Sequence, residues 1–238
     1  MLHLRLQNNW DSNIKGGVKM PEDIIRISHY VKGVAAIILA GGYSMRMKQF
    51  KPLLPLGNST VIENTINVFR NSGVEDITVV IGYRANDLKT VLDRMAVKWV
   101  YNENYHKGMY SSVVAGVSSL PVDTKGFFLL PADMPLVKKE TIDELLRVYN
   151  SKAFDIIYPI YKGHRGHPPI ISGSLFPAIM NGDGCGGLRE LLSQYQHGAT
   201  HVEVNDENIL TDIDTPDDYI NLCQSFMLRE EYQASSEA

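Results

Sequence analysis

Cysteine is scarce in this chain, which has only Cys185 and Cys223. Two are too few for a disulfide framework, so a reducing compartment is expected. No stretch approaches the roughly 18 consecutive apolar residues of a membrane span. The first ten residues, Met1 to Trp10, lack the apolar core of a secretory signal. A cytoplasmic setting without membrane contact is the expectation. Positive charge is not in excess either, because 23 Lys and Arg against 27 Asp and Glu leave a net charge of −4. With a sequence pI of about 6.0, no basic field points to nucleic acid. Two common phosphate-binding signatures, G-x-x-x-x-G-K-[ST] and G-x-G-x-x-G, are missing. So are internal repeats and low-complexity linkers.

What is present is an ordinary globular composition, 44% hydrophobic and 21% charged over 238 residues, enough for the core of one large α/β domain. Residues 1–32 read as an N-terminal extension with a short helix near Glu22–Tyr30. Residues 33–228 read as one folded domain and 229–238 as a flexible polar tail. Within the domain, buried strands are expected at 34–38, 77–81, 97–101 and 126–130, later at 155–161, 169–172 and 201–204. Between them fall helices at 61–72, 87–95, 111–119, 138–149 and 187–194. Thr60-Val61-Ile62-Glu63 is a capping box and Gly73 a stop signal. Thr215 and Pro216 open the last helix. Apolar strands alternating with amphipathic helices predict an α/β fold, a Rossmann-like three-layer αβα arrangement around a mainly parallel sheet.

Ligands in such sheets bind beyond the carboxyl ends of the strands, and the first strand ends in Leu39-Ala40-Gly41-Gly42-Tyr43-Ser44-Met45-Arg46-Met47-Lys48-Gln49-Phe50-Lys51. Two glycines let successive N–H groups converge on an anion. Arg46 adds a planar fork and Lys51 a point charge. Asp133, in Pro131-Ala132-Asp133-Met134-Pro135, sits at another strand's carboxyl end. It suits Mg²⁺, or equally a cap for the helix that follows. Asp212 and Asp214 project to one side of an extended segment and could share a metal. Asp217 and Asp218 fit the first turn of the last helix. Ser111 and Ser112 after Gly108 offer donors to a nucleotide, or simple capping. His164 and His167 lack the acidic or thiolate partners that zinc would need.

The loop L-A-G-G-x-S-x-R-M with Lys51 resembles the signature of the MobA-like nucleotidyltransferases, with Lys48 where that family usually has Gly. The family attaches NMP units to phosphorylated acceptors, including molybdopterin cofactor. The resemblance implies that Leu39, Ala40, Gly41, Gly42, Ser44, Gly82, Gly108, Ser111 and Ser112 bind the nucleotide. It implies catalytic roles for Arg46, Lys51 and Asp133, with Mg²⁺ on Asp133, Asp212 and Asp214. Arg165-Gly166-His167-Pro168, the Gly182–Leu192 segment and Asp212-Ile213-Asp214-Thr215-Pro216 resemble the cytidylyl branch, whereas L-A-G-G is more typical of the guanylyl enzymes. Arg165, His167 and Arg189 are the implied acceptor contacts.

On balance the resemblance implies CTP, with GTP as the alternative, molybdopterin cofactor as acceptor, and a molybdenum hydroxylase or its chaperone as partner protein. Two rivals stand beside it. One is the same fold acting on a sugar phosphate or methylerythritol phosphate. The other is a non-catalytic chaperone for the pterin cofactor.

Overall fold

Val34–Ala40, strand β1, alternates between two cores. Val34, Ala36, Ile38 and Ala40 face one, and Ala35 and Ile37 face the other. A strand buried on both faces needs an unbroken apolar run, which is why no polar residue interrupts it. The computed structural model describes residues 33–43, 47, 49–151 and 153–236. The helix expected near Glu22–Tyr30, and Ser44 and Arg46 of the signature loop, lie outside the described residues.

After β1 comes a small hairpin, β2 (Pro55–Leu56) with β3 (Ser59–Thr60), then α1 (Val61–Asn71). Glu63 reaches back to the Thr60 N–H at 2.8 Å. At the other end Gly73 takes φ +77°. There the Gly73 and Val74 N–H groups bond the Arg70 and Phe69 carbonyls, closing the helix as a Schellman turn. Strand β4 (Asp76–Ile81), helix α2 (Ala85–Arg94), strand β5 (Lys98–Tyr101), helix α3 (Met109–Ser118) and strand β6 (Gly126–Pro131) follow. Then come α4 (Lys139–Tyr149), β7 (Ile156–Tyr161), β8 (His164–Arg165), β9 (Ile170–Ser172), α5 (Phe176–Asn181), α6 (Gly187–Ser193), β10 (Ala199–Glu203) and α7 (Pro216–Ser236).

The large sheet runs β10-β7-β9-β6-β1-β4-β5, with β8 beside β7. β1 is parallel to both β4 and β6, and β5 extends the parallel side. β9 runs antiparallel to both β6 and β7, so the sheet is mixed at the side built by the second half. Helices α1, α2 and α4 cover one face, and α3, α5 and α6 the other. α7 packs separately on the hairpin through Leu222 and Phe226. Its backbone stays helical to Ser236, through most of the stretch expected to be a tail. Among the described residues no helix is long and apolar enough to cross a membrane.

From β1 the chain moves outward to β4 and β5. α3 then carries it back across the sheet to β6, on the other side of β1. The strand order therefore reverses beside β1, and the loops after β1 and β6 meet at one edge. α3 fits there because Gly116 has no side chain. A Cβ at that position would lie 2.7 Å from Ile37 Cγ2 and 3.1 Å from Val80 Cγ2. Gly116→Ala is expected to destabilise the protein by about 1–3 kcal/mol through overpacking, read as a lower urea midpoint at unchanged slope.

Candidate active site

Met47 and Phe50 plug two apolar clusters, so the loop leaving β1 turns inward just before Lys51. A one-turn 3₁₀ helix, Lys51–Leu53, fixes the backbone, and Lys51 is buried. Its ammonium donates to Asp133 Oδ2 at 3.1 Å and to Asp214 Oδ1 at 2.9 Å. Thus the ends of β1 and β6 and the segment before α7 meet in one ion cluster. Burial acts most strongly on Lys51 and would lower its pKa. The Asp214 hydrogen bond and the charge and hydrogen bond of Asp133 outweigh it, holding the pKa above the ordinary lysine value. Asp133 is pushed above the usual carboxylate range, chiefly by burial, with Lys51 opposing and Asp212 reinforcing the rise.

Asp133, Asp212 and Asp214 place carboxylate oxygens within 4.8 Å of one another. These are hard oxygen donors with a cation already lodged between two of them, and such a set fits a divalent ion like Mg²⁺ or Mn²⁺. The capping role weighed for Asp133 is not what the fold uses. α4 begins at Lys139 with Lys138 as its N-cap, and the Asp133 side chain turns to Lys51 instead. Asp218 does cap, accepting from the Thr215 N–H at 2.7 Å.

Beside the cluster opens a cleft of about 440 Å³ lined by Leu39, Ala40, Gly41, Gly42, Tyr43, Lys51, Tyr105, His106, Gly108, Met109, Ser112 and Asp133 among others. The two serines part company here. Ser111 donates to the carbonyls of Asn104 and Gly108 and does not line the cleft. Ser112 accepts from Asn102 at 3.0 Å, and among the described residues no acceptor lies opposite its own proton. Gly82 stands behind the wall, not on it. A Cβ there would meet Tyr105 Cβ at 2.6 Å, so Gly82 seats Tyr105, whose ring packs 5.5 Å from that of Tyr43.

The expected acceptor contacts are dispersed. His167 is partly buried near Asp212, burial lowering its pKa and that carboxylate acting the other way. Arg165 lies 4.8 Å over the Tyr158 ring and donates to Gln196. Arg189 is exposed on α6. Sequence reading missed Asn102, whose signal was faint: one polar residue directly after a strand. Its buried amide donates to both serines and its carbonyl oxygen accepts from the Asn104 N–H at 2.9 Å.

A mixed, mostly parallel sheet with a glycine loop, a lysine and an acidic trio at its carboxyl edge is the arrangement of a nucleotidyltransferase. The sequence model of the MobA-like NTP transferase domain matches residues 36–200. The chain belongs to that family. It is 31% identical to the molybdenum cofactor cytidylyltransferase of Escherichia coli K12 over 192 residues, 80% of this chain and 95% of that one. The crystal structure of Rv0371c from Mycobacterium tuberculosis H37Rv superposes with TM-score 0.72 at 24% identity, covering 81% of this chain and 97% of that one. A manganese complex of the same protein gives TM-score 0.69 at 24% identity, over 81% and 99% of the chains.

Asn102→Ala should cost about 1–3 kcal/mol, since it removes a buried amide whose partners include buried Ser112. Ser111→Ala, at a half-exposed site, should cost less than about 1 kcal/mol. Denaturation midpoints of the two variants check the ranking.

Proposed function

We propose that the protein transfers CMP from CTP to the terminal phosphate of molybdopterin cofactor, releasing pyrophosphate. The observation that carries the reading is the meeting of Lys51, Asp133 and Asp214 at the wall of the glycine-lined cleft. A phosphate oxygen of the acceptor attacks the α-phosphorus of the nucleotide. The new P–O bond forms as the bond to the bridging oxygen of the β-phosphate breaks, and that oxygen leaves on pyrophosphate. The acceptor is itself the nucleophile, so the protein's work is positioning and neutralising charge. Gly41 and Gly42 direct backbone N–H groups at the phosphates, and Lys51, with Arg46 of the same loop, supplies positive charge. Ser112 donates its free hydroxyl proton to the nucleotide. Asp133, Asp212 and Asp214 hold Mg²⁺, which when bound offsets the negative charge of the triphosphate. His167, Arg165 and Arg189 serve the acceptor side. A molybdenum hydroxylase or its chaperone would receive the product in the cytoplasm.

The cytidylyl choice draws support from the similarity to the E. coli cytidylyltransferase and from the Arg165–Pro168 and Asp212–Pro216 segments. GTP is the second reading because Leu39-Ala40-Gly41-Gly42 is more typical of the guanylyl enzymes. A fitted base site left with unpaired polar groups loses a few kcal/mol, roughly a hundredfold in rate. kcat/KM for CTP is therefore expected to exceed that for GTP about a hundredfold with cofactor-loaded acceptor. A GTP preference replaces the base and leaves the transferase class intact. Absence of pyrophosphate release with every NTP would favour a pterin chaperone, and turnover with sugar phosphates alone would replace the acceptor.

Asp133→Asn keeps shape and removes the charge. It is expected to abolish metal-dependent pyrophosphate release while the protein stays folded by circular dichroism. Lys51→Ala removes one partner of a largely buried pair. It should cut kcat/KM by at least about tenfold and also lower the melting temperature, because it removes the largely buried ammonium that Asp133 and Asp214 share.

A further inference from the structure

Asp206 is 1% exposed, the one carboxylate among the deeply buried polar side chains of the described residues. The reaction as proposed makes no use of it. Its Oδ2 accepts from the Lys138 N–H and from the Thr141 hydroxyl, both at 2.8 Å. Its Oδ1 accepts from the Asn208 N–H at 3.1 Å and from the Asn208 side-chain amide at 2.8 Å. All four partners are donors, which an ionised carboxylate satisfies and a carboxamide, itself a donor, does not.

Two of the four bonds, those to Lys138 and Thr141, join segments far apart in sequence, and the two to Asn208 fix the turn that Asp206 opens. Lys138 is the N-cap of α4 and makes no side-chain cap of its own, so Asp206 supplies both acceptor and negative charge to that helix start. On the other side it opens the 3₁₀ turn Glu207–Leu210. Just upstream of α4 lies Asp133; just downstream of the turn lie Asp212 and Asp214. Two backbone hydrogen bonds flank the arrangement. The His167 N–H donates to the Ile209 carbonyl at 2.8 Å, and the Ile213 N–H donates to the Asp133 carbonyl at 3.2 Å. Gly166 accommodates the first tie, since a Cβ there would lie 2.4 Å from that same Ile209 oxygen.

We propose that Asp206 is a positioning residue for the acidic trio. Its four hydrogen bonds set the separation of the Asp133 loop from the Asp212–Asp214 segment and thereby the affinity for a divalent cation. The inference rests on the metal reading of the trio given above, and its test separates the two.

The probe is Mn²⁺ alone, without nucleotide, followed by electron paramagnetic resonance of the free ion. Wild type, Asp133→Asn, Thr141→Val and Asp206→Asn are compared, each with its melting temperature and circular dichroism. Thr141→Val removes one of the four donors at nearly constant volume. Asp206→Asn keeps the volume and sets a donor against donors. Groups that orient metal ligands are worth on the order of tenfold or more in affinity. Mn²⁺ binding is accordingly expected to weaken about tenfold or more in Asp206→Asn and several-fold in Thr141→Val. In turnover the metal half-saturation should rise, with the nucleotide KM at saturating metal within about twofold of wild type. If both variants melt earlier yet bind Mn²⁺ like wild type, Asp206 serves stability only and the inference is overturned. Should Asp206→Asn fail to fold, Thr141→Val decides by the same criterion. Unchanged Mn²⁺ binding in Asp133→Asn would remove the metal reading and the inference with it. Loss there, with full binding in the other two variants, removes the inference alone.

Discussion

The bridge from Lys51 to Asp133 and Asp214 is the constraint on which the active edge depends. It ties together the exits of β1 and β6, adjacent parallel strands, and the segment that enters α7. Each component has its own reason to be there. Met47 and Phe50 are buried and hold the loop down, the β6 register carries Asp133 past Pro131, and Asp206 holds the third segment. The bridge itself is not a gain to be counted as stability, because desolvating three charged groups costs about what their attraction returns. Its effect is geometric. A largely buried ammonium and two carboxylates have few arrangements that leave no charge stranded, so the three chain segments are held in one.

Much of the first half was legible because its signals are local. β1 is a run of apolar residues, and α1 carries both its capping box and its glycine stop. The loop between them is a contiguous stretch whose family resemblance the match over residues 36–200 bears out. The mainly parallel αβα layout followed from alternating periods alone. The two-residue strands β2, β3 and β8 left no trace, since two residues cannot display a period. The antiparallel insertion of β9 between β6 and β7 is likewise a pairing choice made in three dimensions.

Within the site, the residues that bear charge were readable and the ones that orient them were not. Lys51, Asp133 and Asp214 stand out in sequence because a buried strand ends beside them or because they form a pattern. Asn102 and Asp206 sit in unremarkable polar stretches. Their importance comes from partners many residues away: Asp206 acts on Lys138 and Thr141, across all of α4, β7, β9 and β10. The Asp133 alternatives show the same limit. A carboxylate shortly before a helix reads as its cap, but the carboxylate that serves the start of α4 is Asp206, 68 positions beyond the Lys138 whose N–H it accepts.

The two sides of the proposed site differ in how closely they are packed, and the proposed chemistry accounts for the difference. The side proposed for the nucleotide is tightly packed: a Cβ on Gly41 would meet Ser112 and the Gly82 backbone, Gly82 admits no side chain beneath Tyr105, and Asn102 pins the start of α3. A transfer at the α-phosphorus requires in-line geometry, and a small shift there is costly in rate. The residues expected at the acceptor are spread over β8, the turn after it and α6, with Arg165 held by Tyr158 and Gln196. A large acceptor that presents one terminal phosphate needs fixed placement only at that phosphate. On the proposed reading, the rest of such a molecule can be held by a shallow surface that meets the fixed part at His167, close enough to Asp212 to feel its charge.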